Sequence, residues 1–518
     1  MNSNQFKAAH NSLKEMQNVM NNIENEVKSQ EVKYNDVITQ PTRKPKAPSS
    51  KKRNIHAKQS PNVKKVININ NNNTKKLFKE SFFKQEKAWV PVLNKLINED
   101  SQKMKNKPKM SGCSKQEMHG IIGKDLNDWD APLLMVECGK EARPGYSQVK
   151  AHEYHDTPAT LKKKVKTLAN LIRASENAII YSGAGISTAS GIPDYASKAG
   201  QNKTLAKRGK KSANGYVLPT FSHRALTGMF HNGLLKRWIQ QNHDGLPQKA
   251  GMPQHDVNEI HGSWYDPSNP VVPMTGTLRT DLYNDLSKWE SKTDLCIAIG
   301  TSLSGMGADC CVHTPAQKFE HMGVGFGSVI IGIQKTGEDV HSSLRIFALI
   351  DEVFVLLCQE LEVLPTPLHK NPRAKRYPKH IEPVENVFVV PYDKNGNLSK
   401  TGETSYLDLR PLNQNLQLTM GPGKGFKGEC VGRTLEGHFR IRLPHQREGS
   451  KKHGKGTSIY KLGSWWIESL VYGREPKLPL INLKQFNKVG ANVKTKCVAI
   501  TKSKKGNGGV RSYKDLEF

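Results

Sequence analysis

Residues Ser182 to Gly200 read SGAGISTASGIPDYASKAG and follow the apolar run Ala178-Ile179-Ile180-Tyr181. The side chains of Gly183, Ala184, Gly185, Ile186 and Ser187 leave the main chain accessible enough for a diphosphate to approach, with backbone N–H groups as donors. The stretch is not a G-x-G-x-x-G fingerprint, and a tight strand-to-helix turn calls for the same small residues. Both readings stay open on the glycines alone. His261, in EIHGS (259–263), is one of 18 histidines. Ahead of Gly-Ser at a strand or turn boundary, it is by itself as compatible with a capping or surface role as with proton transfer.

A phosphate-binding turn needs a strand to deliver it and helices to brace it, and the middle of the chain alternates accordingly. Thr157-Pro158 caps an expected helix whose Leu161, Val165, Leu168, Ala169 and Ile172 share one face. AIIY (178–181), LCIAIG (295–300) and SVIIGI (328–333) are short and apolar, as central parallel strands buried on both faces are. ALIDEVFVLLCQELE (348–362) reads as a closing amphipathic helix. The predicted fold is α/β, a doubly wound parallel, Rossmann-like sheet with its ligand at the carboxyl ends of the strands.

Charge divides the 518 residues into three. The chain carries 78 Lys+Arg against 47 Asp+Glu, net +31, distributed as +14 over 1–110, 0 over 111–369 and +17 over 370–518. The expected organisation is a basic, largely disordered N-terminal arm (1–110), a charge-neutral α/β domain (111–369) and a basic β-rich domain with a disordered tail (370–518). KKRNIHAKQSPNVKKVININNNNTKK (51–76) has too few large apolar residues for a core. Its basic run suits nuclear import or phosphate binding, and order is expected to begin in 81–97. No apolar stretch is long enough to cross a bilayer, and no signal pattern opens the chain, so an intracellular protein is expected, nuclear in preference to cytoplasmic. The eight cysteines form no C-x2-C pair; reduced thiols and no metal site are expected.

GAGISTASGIPDY (183–195), PTFSHRAL (219–226), QNHDGLPQKAG (241–251), EIHGS (259–263) and IGTSL (299–303) occur in the order and near the spacing found in sirtuins. The chain resembles that family of NAD-dependent protein deacylases over roughly residues 155–365. The resemblance implies NAD as cofactor and an acylated-lysine protein, histones included, as substrate. It implies that Gly183, Ala184, Gly185, Ile186 and Ser187 hold the pyrophosphate side of the pocket, and that Ile192, Pro193, Asp194 and Tyr195 continue it around the nicotinamide. Gln241, Asn242 and Asp244 match the polar set that orients the nicotinamide ribose. Gly300, Thr301 and Ser302 match the adenosine-side loop, and His261 matches the catalytic base. In such chemistry the acyl carbonyl traps the ribose carbon as nicotinamide leaves, and a neutral imidazole takes a proton from a ribose hydroxyl. Asn242 and Asp244 belong to the catalytic set through positioning.

Three departures from the family pattern bear on activity. Phe-Arg becomes Tyr195-Ala196, removing a guanidinium fork that Lys198 could replace only as a point charge. Residues 262–295 contain no cysteine where the family carries two C-x2-C pairs, so a reduced small domain without zinc is expected. Val271-Val272-Pro273-Met274-Thr275-Gly276 is the nearest match to the substrate-pairing strand, and Pro273 removes a donor from it. Gly332 also stands where the family has an asparagine at the adenosine ribose. Two other functions therefore remain beside deacylation: a catalytically reduced module that binds NAD or ADP-ribose, and an NAD hydrolase or ADP-ribosyltransferase. In 370–518, NVFVVPYD (386–393), GHFRIRLP (437–444) and SIYKLGSWWIESLVYG (458–473) suggest an antiparallel β domain. Its lysine-bearing glycine loops with nearby Trp465, Trp466 and Tyr472 suit nucleic acid as well as an ordinary solvated surface.

Overall fold

The computed structural model describes residues 104, 106–142, 149–194, 217–273, 276–368, 377–411, 415–445 and 456–482. Tyr195, Ala196, Lys198, Met274, Thr275, the basic stretch 51–76, the segment 81–97, most of the 447–457 loop and the tail lie outside them. All described residues fall in one compact unit, Ile69–Phe518. Among them no helix is long and apolar enough to cross a membrane.

Six strands form the parallel sheet: β3 (Ala178–Ser182), β4 (Arg237–Gln240), β5 (Val257–Glu259), β6 (Leu295–Ile299), β7 (Gly327–Ile331) and β8 (Leu344–Ile346). A hairpin of β1 (Leu133–Val136) and β2 (Glu153–His155) precedes them. The order across the sheet is β5-β4-β3-β6-β7-β8. The order of strand addition therefore reverses between β3 and β6, the position where open α/β sheets form a ligand crevice.

Period-2 alternation explains why both faces are covered. Ala178 and Ile180 of β3 join one core with Leu161, Val165 and Leu168 of helix α2 (Pro158–Ala174) and Phe354 of α7 (Ile350–Leu361). Ile179 and Tyr181 join the opposite core with Leu286 of α5 (Thr280–Lys292) and Cys311 and Val312 of α6 (Cys310–Met322). Thr157 caps α2 by accepting from the Thr160 amide, with Pro158 in its first turn, as the sequence predicts. The doubly wound sheet expected from the alternation is the fold observed. Residues 106–110 run against the β1 hairpin, with Lys109 bridged to Leu133 and Met110 buried.

Residues 377–482 carry a second core. The hairpin β9 (Val387–Val390) and β10 (Ser405–Asp408) lies beside a five-stranded antiparallel sheet ordered β14-β13-β12-β11-β15. Its strands are β11 (Leu416–Leu418), β12 (Lys427–Arg433), β13 (Phe439–Pro444), β14 (Thr457–Leu462) and β15 (Leu480–Asn482). The expected strands at 386–393 and 437–444 are there. The stretch 458–473 is strand only to Leu462; Ser464–Val471 is helix α8. Trp466, Ile467 and Leu470 are all buried in this core, and their spacing of one and four is helical rather than alternating.

Candidate active site

The glycines at the switch point pack against one another. An added Cβ at Gly183 would lie 2.8 Å from the Gly300 carbonyl oxygen, and one at Gly185 would lie 2.7 Å from the Gly300 Cα. Gly300 itself has φ +58°, and an added Cβ there would lie 2.7 Å from the Ile186 nitrogen, so two loops touch backbone to backbone. The Gly183 amide donates to Ile299 O at 3.0 Å, Gly185 to Gly300 O at 2.8 Å and Ile186 to Gly183 O at 3.3 Å. These three N–H groups are thus engaged internally, where the sequence suggested donors for a diphosphate. The bare backbone serves loop-on-loop contact first. Residues Ala184–Ser190 form a 3-10 helix ending at Gly191, φ +83°, and Ile192, Pro193 and Asp194 follow it without regular secondary structure.

A polar network ties this loop to the end of β4. Ser187 Oγ donates to Asp244 Oδ2 at 2.7 Å, and Asn242 Nδ2 donates to Gly183 O at 3.0 Å and to Ser187 Oγ at 3.1 Å. Asp244 Oδ1 accepts from Gln240 Nε2 at 3.1 Å and from the Leu246 amide at 3.0 Å. Gln241 Nε2 donates to Thr301 Oγ1 at 2.9 Å, joining the loops after β4 and β6. Burial pushes the Asp244 carboxyl above the ordinary range, partly offset by the Leu246 and Ser187 hydrogen bonds. Asp244, Ser187 and Gly183 are buried, whereas Gln241, Asn242, Thr301, Ser302 and His261 are half-exposed. The buried members hold; the half-exposed ones line an accessible surface at the carboxyl ends of β3, β4 and β6.

His261 stands two residues beyond β5 in a turn restrained from several sides. The Gly262 amide returns to Glu259 O at 3.0 Å, and Val272 N donates to His261 O at 2.9 Å. Gly262 has φ +95° and no room for a Cβ, which would meet Pro270 O at 2.4 Å. His243 links the two candidate loops: its Nδ1 lies 3.0 Å from Gly262 O, and its carbonyl accepts from Trp264 N at 2.9 Å. No sequence signal singled out His243 or Glu259 for these structural roles. Residues 271–273 are not in a strand, and Gly276 N donates to Pro273 O at 2.8 Å.

Beneath the turn, Glu259 is fully buried. It accepts from Ser263 Oγ at 2.8 Å and Gln254 Nε2 at 3.3 Å. Burial, reinforced by the nearby Asp266 carboxylate, pushes its carboxyl up to about 8. The folded protein thus keeps a proton that the unfolded chain releases near the ordinary value of 4.5. Stability from this group is complete below that value and is lost as pH rises towards about 8, by up to about 1.4 kcal/mol per pH unit. Glu259→Gln, neutral at every pH, is expected to flatten this slope in urea unfolding measured from pH 5 to 8. An unchanged slope would show that Glu259 is ionised in the fold.

The order of strands, the loops meeting at the switch point and the polar side chains around them define a Rossmann-type domain. No family model matches the chain. NAD-dependent protein deacetylase sirtuin-7 of Mus musculus is 27% identical over 270 residues, covering 43% of this chain and 66% of that protein. NAD-dependent protein deacetylase SRT1 of Arabidopsis thaliana is 28% identical over 263 residues, covering 42% and 54%. The match to these curated relatives thus spans less than two thirds of their length. A solved Sir2 enzyme structure aligns over 39% of this chain and 98% of its own, at 20% identity and TM-score 0.32. With the five motifs in order, these relatives make this part of the chain similar to the sirtuins.

Proposed function

We propose that the protein is an NAD-dependent protein-lysine deacylase, transferring the acyl group to ADP-ribose with release of nicotinamide. The observation that supports this most is the tethering of the His261 turn to the Asn242–Asp244 loop through His243, beside the switch-point crevice. NAD fits the donor set: Asn242, Gln241 and Thr301 offer neutral polar groups suited to ribose hydroxyls and a carboxamide, and no buried charge stands unpaired among them. When bound, NAD supplies the electrophilic ribose carbon that accepts the acyl oxygen. His261 is assigned the proton transfer, as the imidazole that the motif match sets at the position of the base. Asn242 is assigned to orient the ribose and nicotinamide. Asp244 acts one step back, since both its oxygens are occupied by Ser187, Gln240 and Leu246. Gly183, Ala184, Gly185, Ile186, Ser187 and Ile192–Asp194 frame the cofactor, with Gly300, Thr301 and Ser302 on the adenosine side.

Purified protein incubated with NAD and an acetylated histone peptide tests this reading. Peptide-dependent nicotinamide release with loss of the acyl mass supports it. Release without peptide points instead to hydrolysis, a reading favoured by the absence of a strand at 271–273. Binding of NAD without release would leave a non-catalytic NAD or ADP-ribose module.

Nucleic acid and a nuclear setting complete the proposal. On one face of the C-terminal sheet, Lys427, Arg440, Arg442 and Lys461 are exposed, Arg440 stands directly opposite Lys461, and the Lys461 ammonium lies 5.2 Å from the Tyr265 ring. Like charges in register cost stability unless an anion relieves them; Glu429 pairs only with Arg442 among these. Affinity for duplex DNA is expected to fall steeply between 50 and 200 mM salt, and Arg440→Ala with Lys461→Ala should reduce the log–log slope by about 2. A slope unchanged in filter binding would remove this face from the interaction.

A further inference from the structure

The β-rich C-terminal region is packed onto the two loops that carry the candidate site. Tyr265, four residues after His261, is buried in a cage built mainly from that region. Its ring lies 4.8 Å from His438, 5.0 Å from Trp465 and 5.2 Å from Lys461 Nζ. Its carbonyl accepts from the Gly463 amide at 2.9 Å. In the short helix Leu246–Lys249 that follows the other loop, Lys249 Nζ pairs with Glu436 at 2.9 Å and stands 5.4 Å from the same Tyr265 ring.

Trp465 touches both loops at once. Gly245, the residue after Asp244, has φ +63°, and an added Cβ there would meet Tyr265 Cδ2 at 2.9 Å and the Trp465 ring at 3.0 Å. The indole thus lies against both the Gly245 backbone and the Tyr265 ring. Gly421 closes a second contact, with room for no side chain against Ser268 O. The segment 262–270 has no regular strand or helix of its own, and its Tyr265 and Ser268 meet the C-terminal region.

We propose that Trp465 is a positioning residue for the candidate site, holding the Asn242–Gly245 loop at a set distance from the His261 turn. The C-terminal region is then a working part of the deacylase rather than a detachable tether. The inference rests on the reading of His261 and Asn242 as parts of one site. A flat aromatic ring suits this place because it contacts glycine backbone and a tyrosine ring simultaneously while keeping few rotatable bonds.

Full-length Trp465→Ala and Trp465→Phe test the assignment by two independent readouts. In hydrogen exchange, amides of 240–252 and 257–273 are expected to exchange about tenfold faster in the alanine variant and near the wild-type rate in the phenylalanine variant. Amides of β3 and β6 should not change in either. In nicotinamide release, kcat is expected to fall about tenfold in the alanine variant, with the KM for NAD within about twofold, and phenylalanine should restore most of it. Unchanged exchange in the two loops overturns the proposal, whatever the activity, as does exchange that rises equally throughout the protein. A wild-type protein that releases no nicotinamide would defeat the deacylase reading, and the exchange measurement would still decide the role of Trp465.

Discussion

Alanine in place of His261 is expected to lower acyl-lysine turnover by about 10²–10⁴-fold, the range that a positioned acid–base group contributes. NAD affinity should change little. The polar groups around the crevice are held by bonds that do not involve the imidazole: Asn242 to Gly183 O and Ser187, and Gln241 to Thr301. The turn should also survive, because it is fastened through backbone atoms, Gly262 N to Glu259 O and Val272 N to His261 O. The variant thus separates proton transfer from binding. Acyl mass loss is followed by mass spectrometry and NAD binding by calorimetry; turnover within about tenfold of wild type would assign the base to another residue.

The largest expected effect on stability lies away from the crevice. Lys164 and Asp156 form an ion pair with no solvent exposure on either side chain, at 2.7 Å. Lys164 also donates to Met118 O at 3.0 Å, and the second Asp156 oxygen accepts from the Phe347 amide at 2.9 Å. Trp129 and Phe347 enclose the ammonium, and burial pulls its pKa down to about 8. Removing the carboxylate with Asp156→Ala strands a buried cation, and the expected cost is about 3–5 kcal/mol in urea unfolding. Adding Lys164→Met should recover a large part of this, because the stranded charge disappears with it. A loss below about 1 kcal/mol for the single variant would mean that water reaches the site.

How much of this was legible in the sequence varied with the kind of pattern. Helix α2 declared itself through Thr157-Pro158 and an apolar face, and β3, β6 and β7 through short runs buried on both sides. Strand β8 did not, because Arg345 lies in its middle; the guanidinium is fully buried only by virtue of Asp339 at 2.8 Å and surrounding carbonyls. Lys164 was hidden for the same reason. A charged residue reads as surface until its partner, contributed by another segment, is known. The helix at 464–471 was masked by aromatic residues that suit strands equally well.

The candidate site divides along the same line. The order and spacing of its motifs were local facts, so the linear chain by itself determined a doubly wound domain with His261, Asn242 and the glycine-rich turn as its candidate chemistry. Tertiary structure alone decided that Gly183, Gly185 and Gly300 are needed for one another, that Asp244 is enclosed behind Ser187 and Gln240, and that Trp465 bears on the loop of Asn242. Residue type and spacing encode period and flexibility, which a short window carries in full. Which backbone meets which glycine, and which partner neutralises which charge, depends on contacts between segments as far apart as 245 and 465, and only the folded chain brings them together.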